Sequence, residues 1–104
     1  MKYDEEKLRI NTESNRLELK IEGGTAFIEY KLSGHTIFLI HTEVPKELEG
    51  KGVGGAIVQK ALQYAKDNQY KIVPICPFVQ SYLERHKEWN DLVAPDAERF
   101  INNL

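Results

Sequence analysis

Several features that would mark a specialised class of protein are scarce in this sequence. Its 104 residues include one cysteine, so no disulfide can form within the chain, which is typical of a reducing compartment. The opening segment MKYDEEKLRI has no apolar core of a secretory signal. The longest apolar runs, TIFLI and AIV, are far too short to cross a bilayer. We therefore expect a soluble, cytoplasmic protein with no membrane partner.

Positive charge is not in excess either. The chain has 14 Lys and Arg residues against 16 Asp and Glu residues, a formal net charge of -2. A general nucleic-acid-binding domain is usually basic, with clustered Lys and Arg. We therefore expect no nucleic-acid partner, and retention on heparin at moderate salt would contradict this. The composition is that of a globular protein, and the length predicts a single domain over residues 1–104.

The first half of the chain has the alternating pattern of an antiparallel sheet. After a polar lead-in over residues 1–14, apolar and polar residues alternate between positions 16 and 22, which predicts a strand. Gly23 and Gly24 predict a two-residue hairpin turn. TAFIEYKL then predicts a second strand, and TIFLIHTEV predicts a third that is apolar enough to be central. Pro45 ends this strand because proline has no N–H for the ladder.

The hydrophobic period changes in the second half. Apolar residues recur at i, i+4 spacing from Val53 to Ala65, which predicts an amphipathic helix of roughly 15 residues ending near KDNQ. YKIVPIC predicts a fourth strand, broken or bulged at Pro74, and VQSYLERHKEW predicts a helix. PDAERFINNL predicts a short terminal helix that begins at Pro95. The expected fold is α/β (α+β): a mixed, mostly antiparallel sheet with a central helix, C-terminal helices and a right-handed parallel crossover.

Four glycines fall within six residues of ELEGKGVGGAIVQKAL, at the start of the central helix. Since glycine costs about 1 kcal/mol relative to alanine in a helix, the backbone must need a special turn or a close approach there. One interpretation is a tight turn with the helix start packed closely on the sheet, but this would need only one or two glycines. Gly50, Gly52 and Gly55 match the dinucleotide fingerprint G-x-G-x-x-G, but that motif belongs to the first unit of a parallel sheet. A Walker loop would need G-K-[ST], which does not follow at the right spacing.

A third interpretation fits the position of these glycines better. The N-terminus of a helix presents unpaired N–H groups and about half a positive charge. Because glycine has no Cβ, phosphate oxygens can reach those N–H groups, and a nearby lysine would add charge. We therefore predict a pyrophosphate-binding site at the start of the central helix. Its predicted residues are Gly50, Lys51, Gly52, Val53, Gly54 and Gly55.

The segment VPKELEGKGVGGAIVQKAL resembles motif A of the GNAT N-acetyltransferases. Their signature is Gln or Arg, two residues, Gly, one residue, and Gly or Ala, which here runs from Glu49 to Gly54. The resemblance covers about residues 16–90, and HTEVP, the glycines and PICPFVQSYL are similar to a small, truncated subgroup. It implies that acetyl-CoA binds at the helix start, that a splayed strand lies beside it, and that an acetyl group is transferred to an amine.

Two features depart from the family pattern. Glu49 stands where the family usually has Gln or Arg, so a carboxylate lies near the expected phosphates. This weakens binding unless Glu49 turns to solvent or Lys51 compensates. Gly23 and Gly24 join two strands directly, where ordinary members have a pair of helices that shapes the acceptor site. We therefore expect an open acceptor side, suited to a protein or peptide amine or to a loosely held small amine.

The resemblance also implies which residues act on the substrates. Acetyl transfer needs a base for the amine and a donor to the oxyanion, and it can use an acid for the leaving thiolate. Glu43 and His41, two apart on one strand face, are the base candidates, and the backbone of Val44 would be the oxyanion donor. Tyr82, a phenol with an ordinary pKa of about 10, would protonate the thiolate. Each side chain also has a structural alternative. Glu43 would be a solvated strand end, His41 a hydrogen-bonded residue in the sheet, and Tyr82 a packed aromatic residue.

Cys76, in PICPFV, is the remaining catalytic candidate. A lone cysteine is most often a small buried hydrophobe, but with a lowered pKa it could be the nucleophile of a ping-pong mechanism. The family normally transfers directly. Phe78 and Trp89 are assigned to packing, and we expect no metal and a monomer or weak dimer. A CoA-binding sensor or interaction module with little turnover remains the alternative function.

Overall fold

The structure is a computed structural model that describes residues 2–101. The strands are β1 (Arg9–Asn11), β2 (Arg16–Ile21), β3 (Gly24–Ser33), β4 (Thr36–Glu43) and β5 (Lys71–Pro74). The helices are α1 (Val53–Asp67), α2 (Pro77–Arg85) and α3 (Glu98–Ile101), and 3-10 segments cover Lys46–Leu48 and Lys87–Leu92. Within residues 2–101, no helix has the length and apolarity needed to cross a membrane.

The strands form one sheet in the order β1-β2-β3-β4-β5. Neighbours are antiparallel except β4 and β5, which pair in parallel because α1 carries the chain back across the sheet. The expected mixed, mostly antiparallel sheet and parallel crossover are confirmed. The polar lead-in expected over residues 1–14 is not loose throughout, because Arg9–Asn11 pairs with Arg16–Glu18 as an edge strand. Three residues are too few to show a period, so only the pairing reveals this strand.

Three element boundaries also differ from the prediction. Ile21 pairs with Gly24, so the hairpin turn is Glu22-Gly23 and Gly24 already belongs to β3. The second helix ends at Arg85, and the following HKEW lies outside it, with Lys87–Leu92 in a 3-10 segment. The terminal helix begins at Glu98 rather than at Pro95, and its predicted residues 102–104 lie outside the described part of the chain.

One face of the sheet packs against α1. The alternating side chains of β2, β3 and β4 and the apolar stripe of α1 form a single buried core. Burial of each such aliphatic side chain stabilises the fold by about 1.5–3 kcal/mol. Its fully buried members include Leu17, Leu19, Ile28, Ile37, Leu39, Ile57, Val58, Ala61 and Leu62.

The opposite face of the sheet, called here the open face, is covered only in part. A smaller cluster of Val73, Ala94 and Ala97 packs there with Phe38 and Ile75. Apolar side chains such as Ile40 and Phe100 remain about two-fifths exposed, at 40% and 39%. This face therefore offers surface beside the central strand that α1 does not occupy.

Candidate functional site

A β-bulge interrupts the central strand β4. Leu39 pairs with Tyr30, whereas His41 pairs with Glu29, so Ile40 is an extra residue on β4. A bulge bends its strand and re-aims the side chains that follow. The faces of β4 after Ile40 are therefore set by the bulge and not by alternation from the start of the strand.

The bulge decides which candidates reach the open face. Thr42 pairs with the buried Ile28 and points toward the helix side. His41 and Glu43 lie on the open face with side chains 53% and 54% exposed, and His41 Nε2 is 3.1 Å from Glu43 Oε2. The structure thus brings the two base candidates into contact on one face, as their spacing predicts.

β4 and β5 separate after Leu39. Their parallel pairing ends at Leu39–Pro74, and the carbonyl of Leu39 accepts the N–H groups of both Ile75 and Cys76 at 3.0 Å. Pro74 stops the ladder because it has no N–H of its own. The second half of β4 therefore leaves its parallel neighbour, and a gap opens at the level of Cys76.

A cleft of about 550 Å³ lies between the end of β4 and the start of α1. Its walls are residues 42–44, residues 48–50 and 52–55, and Phe78 of α2. Of the predicted site, it gathers Glu43, Val44 and every residue from 50 to 55 except Lys51. The segment 50–55 is called the glycine loop below.

The glycine loop has the geometry of an anion site. Gly50 and Gly52 have φ angles of 78° and 81°, and a Cβ on either would meet nothing within 4 Å. Gly52 is the N-cap of α1, whose first turn contains no acidic residue, and no side chain among residues 2–101 caps it. The first amide N–H groups of a helix have no intrahelical partner, so this end attracts phosphate. The residues present therefore fit the pyrophosphate of coenzyme A.

Gly54 has a different structural role. A Cβ at this position would lie 2.5 Å from Cζ of Phe78, so the glycine makes room for the ring. Phe78 is 41% exposed and forms a wall of the cleft, which its assignment to packing missed. A glycine inside a helix can indicate that a bulky side chain packs against it. The sequence does not show that this side chain is Phe78 or that the contact lies at a cleft.

Cys76 immediately precedes α2 and is 3% exposed. Its Sγ lies 3.3 Å from Oγ1 of Thr42, which itself lines the cleft. The buried thiol is thus linked across the strand gap to the cleft. Thr42 gave no signal in the sequence, because its inward direction depends on the bulge.

Tyr82 lies on the other side of the glycine loop. It lines a second cleft, of about 350 Å³, between α1 and α2, together with Lys51 and the N-terminal residues 2–4. The Tyr82 ring stacks on His86 with a centroid distance of 4.1 Å, and the hydroxyl of Tyr3 donates to the Lys51 carbonyl at 3.0 Å. Gly52 and Gly55 line both clefts, so the structure separates Tyr82 from Glu43 by the glycine loop.

The burial of three tyrosines predicts alkaline sensitivity. Burial raises the pKa of Tyr30, Tyr64 and Tyr82 above the usual 10, and for Tyr82 the Glu88 carboxylate adds to this while Arg85 opposes it. The folded state therefore holds these protons more tightly than the unfolded chain. Their contribution to the free energy of unfolding is fully present below about pH 10 and is lost as the pH rises through the folded values.

Urea unfolding between about pH 8 and 11 should therefore show stability falling only above about pH 10 through these groups. Tyr82→Phe should make that fall shallower. Phenolate absorbance that appears at the same pH in folded and urea-unfolded protein would contradict the prediction.

A bulged central strand, its separation from a parallel neighbour and the glycine loop at a helix start together define a GNAT-like fold. A family model described as GCN5-related N-acetyl-transferase matches residues 16–92. The match covers most of the 104 residues, so the chain belongs to the GCN5-related N-acetyltransferase family. The expected resemblance is confirmed.

The fold is also similar to a solved structure. That structure is the solution structure of a GCN5-like protein from Staphylococcus aureus, provisionally described as an N-acetyltransferase. The two superpose with a TM-score of 0.63 at 29% sequence identity, over 84% of this chain and 88% of that chain.

Proposed function

We propose that this protein binds acetyl-CoA and transfers its acetyl group to an amine. The observation that supports this most directly is the start of α1, where left-handed Gly50 and Gly52 leave open space in front of an uncapped helix end. Members of its family generally use acetyl-CoA. Glu49 is exposed, so its carboxylate stays hydrated and opposes a phosphate less than a buried charge would. Lys51 adds a positive charge on the neighbouring side of the glycine loop.

In this proposal each candidate residue has a defined task. Bound acetyl-CoA supplies a thioester carbonyl carbon. The Glu43–His41 pair takes the proton of the amine, whose nitrogen forms a C–N bond as the C–S bond breaks and the thiolate leaves. The backbone N–H of Val44, in the cleft wall, donates to the carbonyl oxygen. Tyr82 is a neutral phenol at pH 7, and burial raises its pKa further; it is the predicted proton donor to the thiolate.

Thermal unfolding with and without acetyl-CoA tests the binding step. A ligand that binds only the folded state adds about 2.7 kcal/mol at 100 times its Kd. For a domain of this size, that should raise the Tm by roughly 10 °C. NAD, which also contains a pyrophosphate but suits a different fold, serves as the control and should give no shift. If millimolar acetyl-CoA leaves the Tm unchanged, the proposal is wrong.

The alternative is a CoA-binding module with little turnover. The observation that favours it is the exposure of the base pair, since His41 and Glu43 are 53% and 54% exposed, whereas catalytic bases are commonly tuned by burial. Release of coenzyme A in the presence of an amine panel separates the two functions. Binding without any release favours the module.

A further inference from the structure

The open face of the sheet contains a recess that no step above uses. It is a groove of about 330 Å³, which is within the range of small-molecule sites. Phe38 and Phe100 meet edge to face inside it, with ring centroids 5.0 Å apart. It is called the apolar groove here, and its lining is Lys31, Ser33, Phe38, Ile40, Ile75 and Phe100.

The apolar groove adjoins the point where β4 and β5 separate. Ile40 is the bulged residue of β4, and Ile75 directly follows β5, so the two flank the strand gap. His41 and Glu43 continue along the same face of β4. At about 3.3 Å per residue, Glu43 lies roughly 10 Å from Ile40 along the strand. Glu43 also lines the cleft at the glycine loop, so along β4 it lies between the groove and that cleft.

The charge differs between the two ends of the surface that runs along β4 from the apolar groove to Glu43. Lys31 lies at the end of the groove remote from Glu43, on the strand pair Lys31–Phe38. At the other end lie the carboxylates of Glu43 and of Glu29, the cross-strand partner of His41. An ammonium group is attracted to the carboxylate end and repelled by Lys31, while the walls between them favour an apolar group.

A cation on the neighbouring strand does not reverse this polarity. Arg16 pairs across the sheet with Glu29, and its guanidinium lies over the ring of Phe27 at 3.9 Å from the centroid. As the residue directly opposite on β2, Arg16 offsets the charge of Glu29. Glu43 and its contact His41 remain as the groups that can receive an amine.

We propose that the apolar groove binds the acceptor, and that the acceptor is a monoamine with an aromatic or branched aliphatic group. Its nitrogen lies at the contact between Glu43 and His41, and its apolar group enters the groove at Ile40. This inference rests on the proposed acetyl transfer and deepens it. The Glu43–His41 pair takes one proton from the bound ammonium, and the resulting amine makes the C–N bond as the C–S bond breaks. The second proton of the nitrogen leaves with the thiolate as the thiol of coenzyme A. The neutral amide product loses its attraction to Glu43, which favours its release.

Isoleucine methyl NMR tests the groove without any acetyl donor. Phenethylamine is the probe, spermidine is the polyamine control, and the buried Ile57 is the internal reference. Phenethylamine should shift the methyl signals of Ile40 and Ile75 saturably while Ile57 stays unchanged, and spermidine should shift none of them. Phe100→Ala should weaken phenethylamine binding about tenfold, because part of the buried apolar area is lost. Leu32→Ala is the matched control, since Leu32 is 40% exposed but lies outside the groove, and it should bind normally.

The turnover measurement uses the same variants with acetyl-CoA present. Phenethylamine should exceed spermidine in kcat/KM by at least about tenfold, and Phe100→Ala should raise KM with kcat unchanged, as loss of uniform binding does. The inference is overturned if spermidine is used as well as phenethylamine, or if phenethylamine does not shift the methyl signals. It is also overturned if the shifts depend on protein concentration, because they would then report binding of a second copy of the chain. Thermal stabilisation by acetyl-CoA in any of these cases would leave the proposed cofactor binding intact.

Discussion

Gly52→Val is expected to remove the stabilisation by acetyl-CoA while the protein remains folded. Gly52 has φ 81° and ψ 8° at the N-cap of α1, a left-handed conformation that is strained for any residue with a Cβ. That strain costs about 1–3 kcal/mol. The valine side chain would also project into open space at the mouth of the helix end, where phosphate is proposed to bind. The measurement is thermal unfolding with acetyl-CoA, in which the gain of about 2.7 kcal/mol at 100 times the wild-type Kd should disappear.

Gly34→Val separates strain from binding. Gly34 has φ 59° in the turn between β3 and β4, and a Cβ there also meets nothing within 4 Å. This variant should lose a similar amount of stability and keep the full response to acetyl-CoA. A Gly52→Val protein that is still stabilised as much as the wild type would show that the glycine loop only shapes a turn.

Glu43→Gln is expected to lower kcat by about 10²–10⁴ without weakening acetyl-CoA binding. The amide has the same shape as the carboxylate but cannot accept the amine proton. The side chain is 54% exposed, so its removal should leave the fold unchanged. Coenzyme A release with an accepted amine measures kcat, and thermal shift measures binding. Glu47→Gln, an exposed change in the Lys46–Leu48 segment, is the control and should retain full turnover.

A ping-pong mechanism through the Cys76 thiol makes a different prediction from direct transfer with Glu43 as base. If Cys76 carries the acetyl group between donor and amine, Cys76→Ala should abolish turnover, and mass spectrometry should detect an acetyl adduct on the wild-type thiol. Undiminished turnover in Cys76→Ala would exclude this route. Full activity in Glu43→Gln would instead assign the proton to another group, and His41 would be the next residue to replace.

Local patterns in the sequence determined much of this protein. The helix α1 occupies Val53–Asp67, as its 3.6-residue period predicts, because that period arises within one continuous segment. Strand β2 follows from alternation, and β3 and β4 follow from their β-branched, aromatic and apolar residues. The parallel pairing of β4 with β5 follows from the connecting helix. The glycine loop was evident because glycine in a helix is costly, and Gly50 and Gly52 do adopt the left-handed conformation that only glycine takes easily.

Only the tertiary structure decided how the candidate residues are divided among surfaces. The bulge at Ile40 turns Thr42 inward toward Cys76, the close packing at Gly54 places Phe78 in the cleft wall, and the glycine loop separates Tyr82 from Glu43. The apolar groove unites β3, β4 and the segments around Ile75 and Phe100. These features depend on strand register and on contacts between residues far apart in the chain. Neither leaves a period within a single segment, so the sequence specifies the elements and the packing of those elements specifies the site.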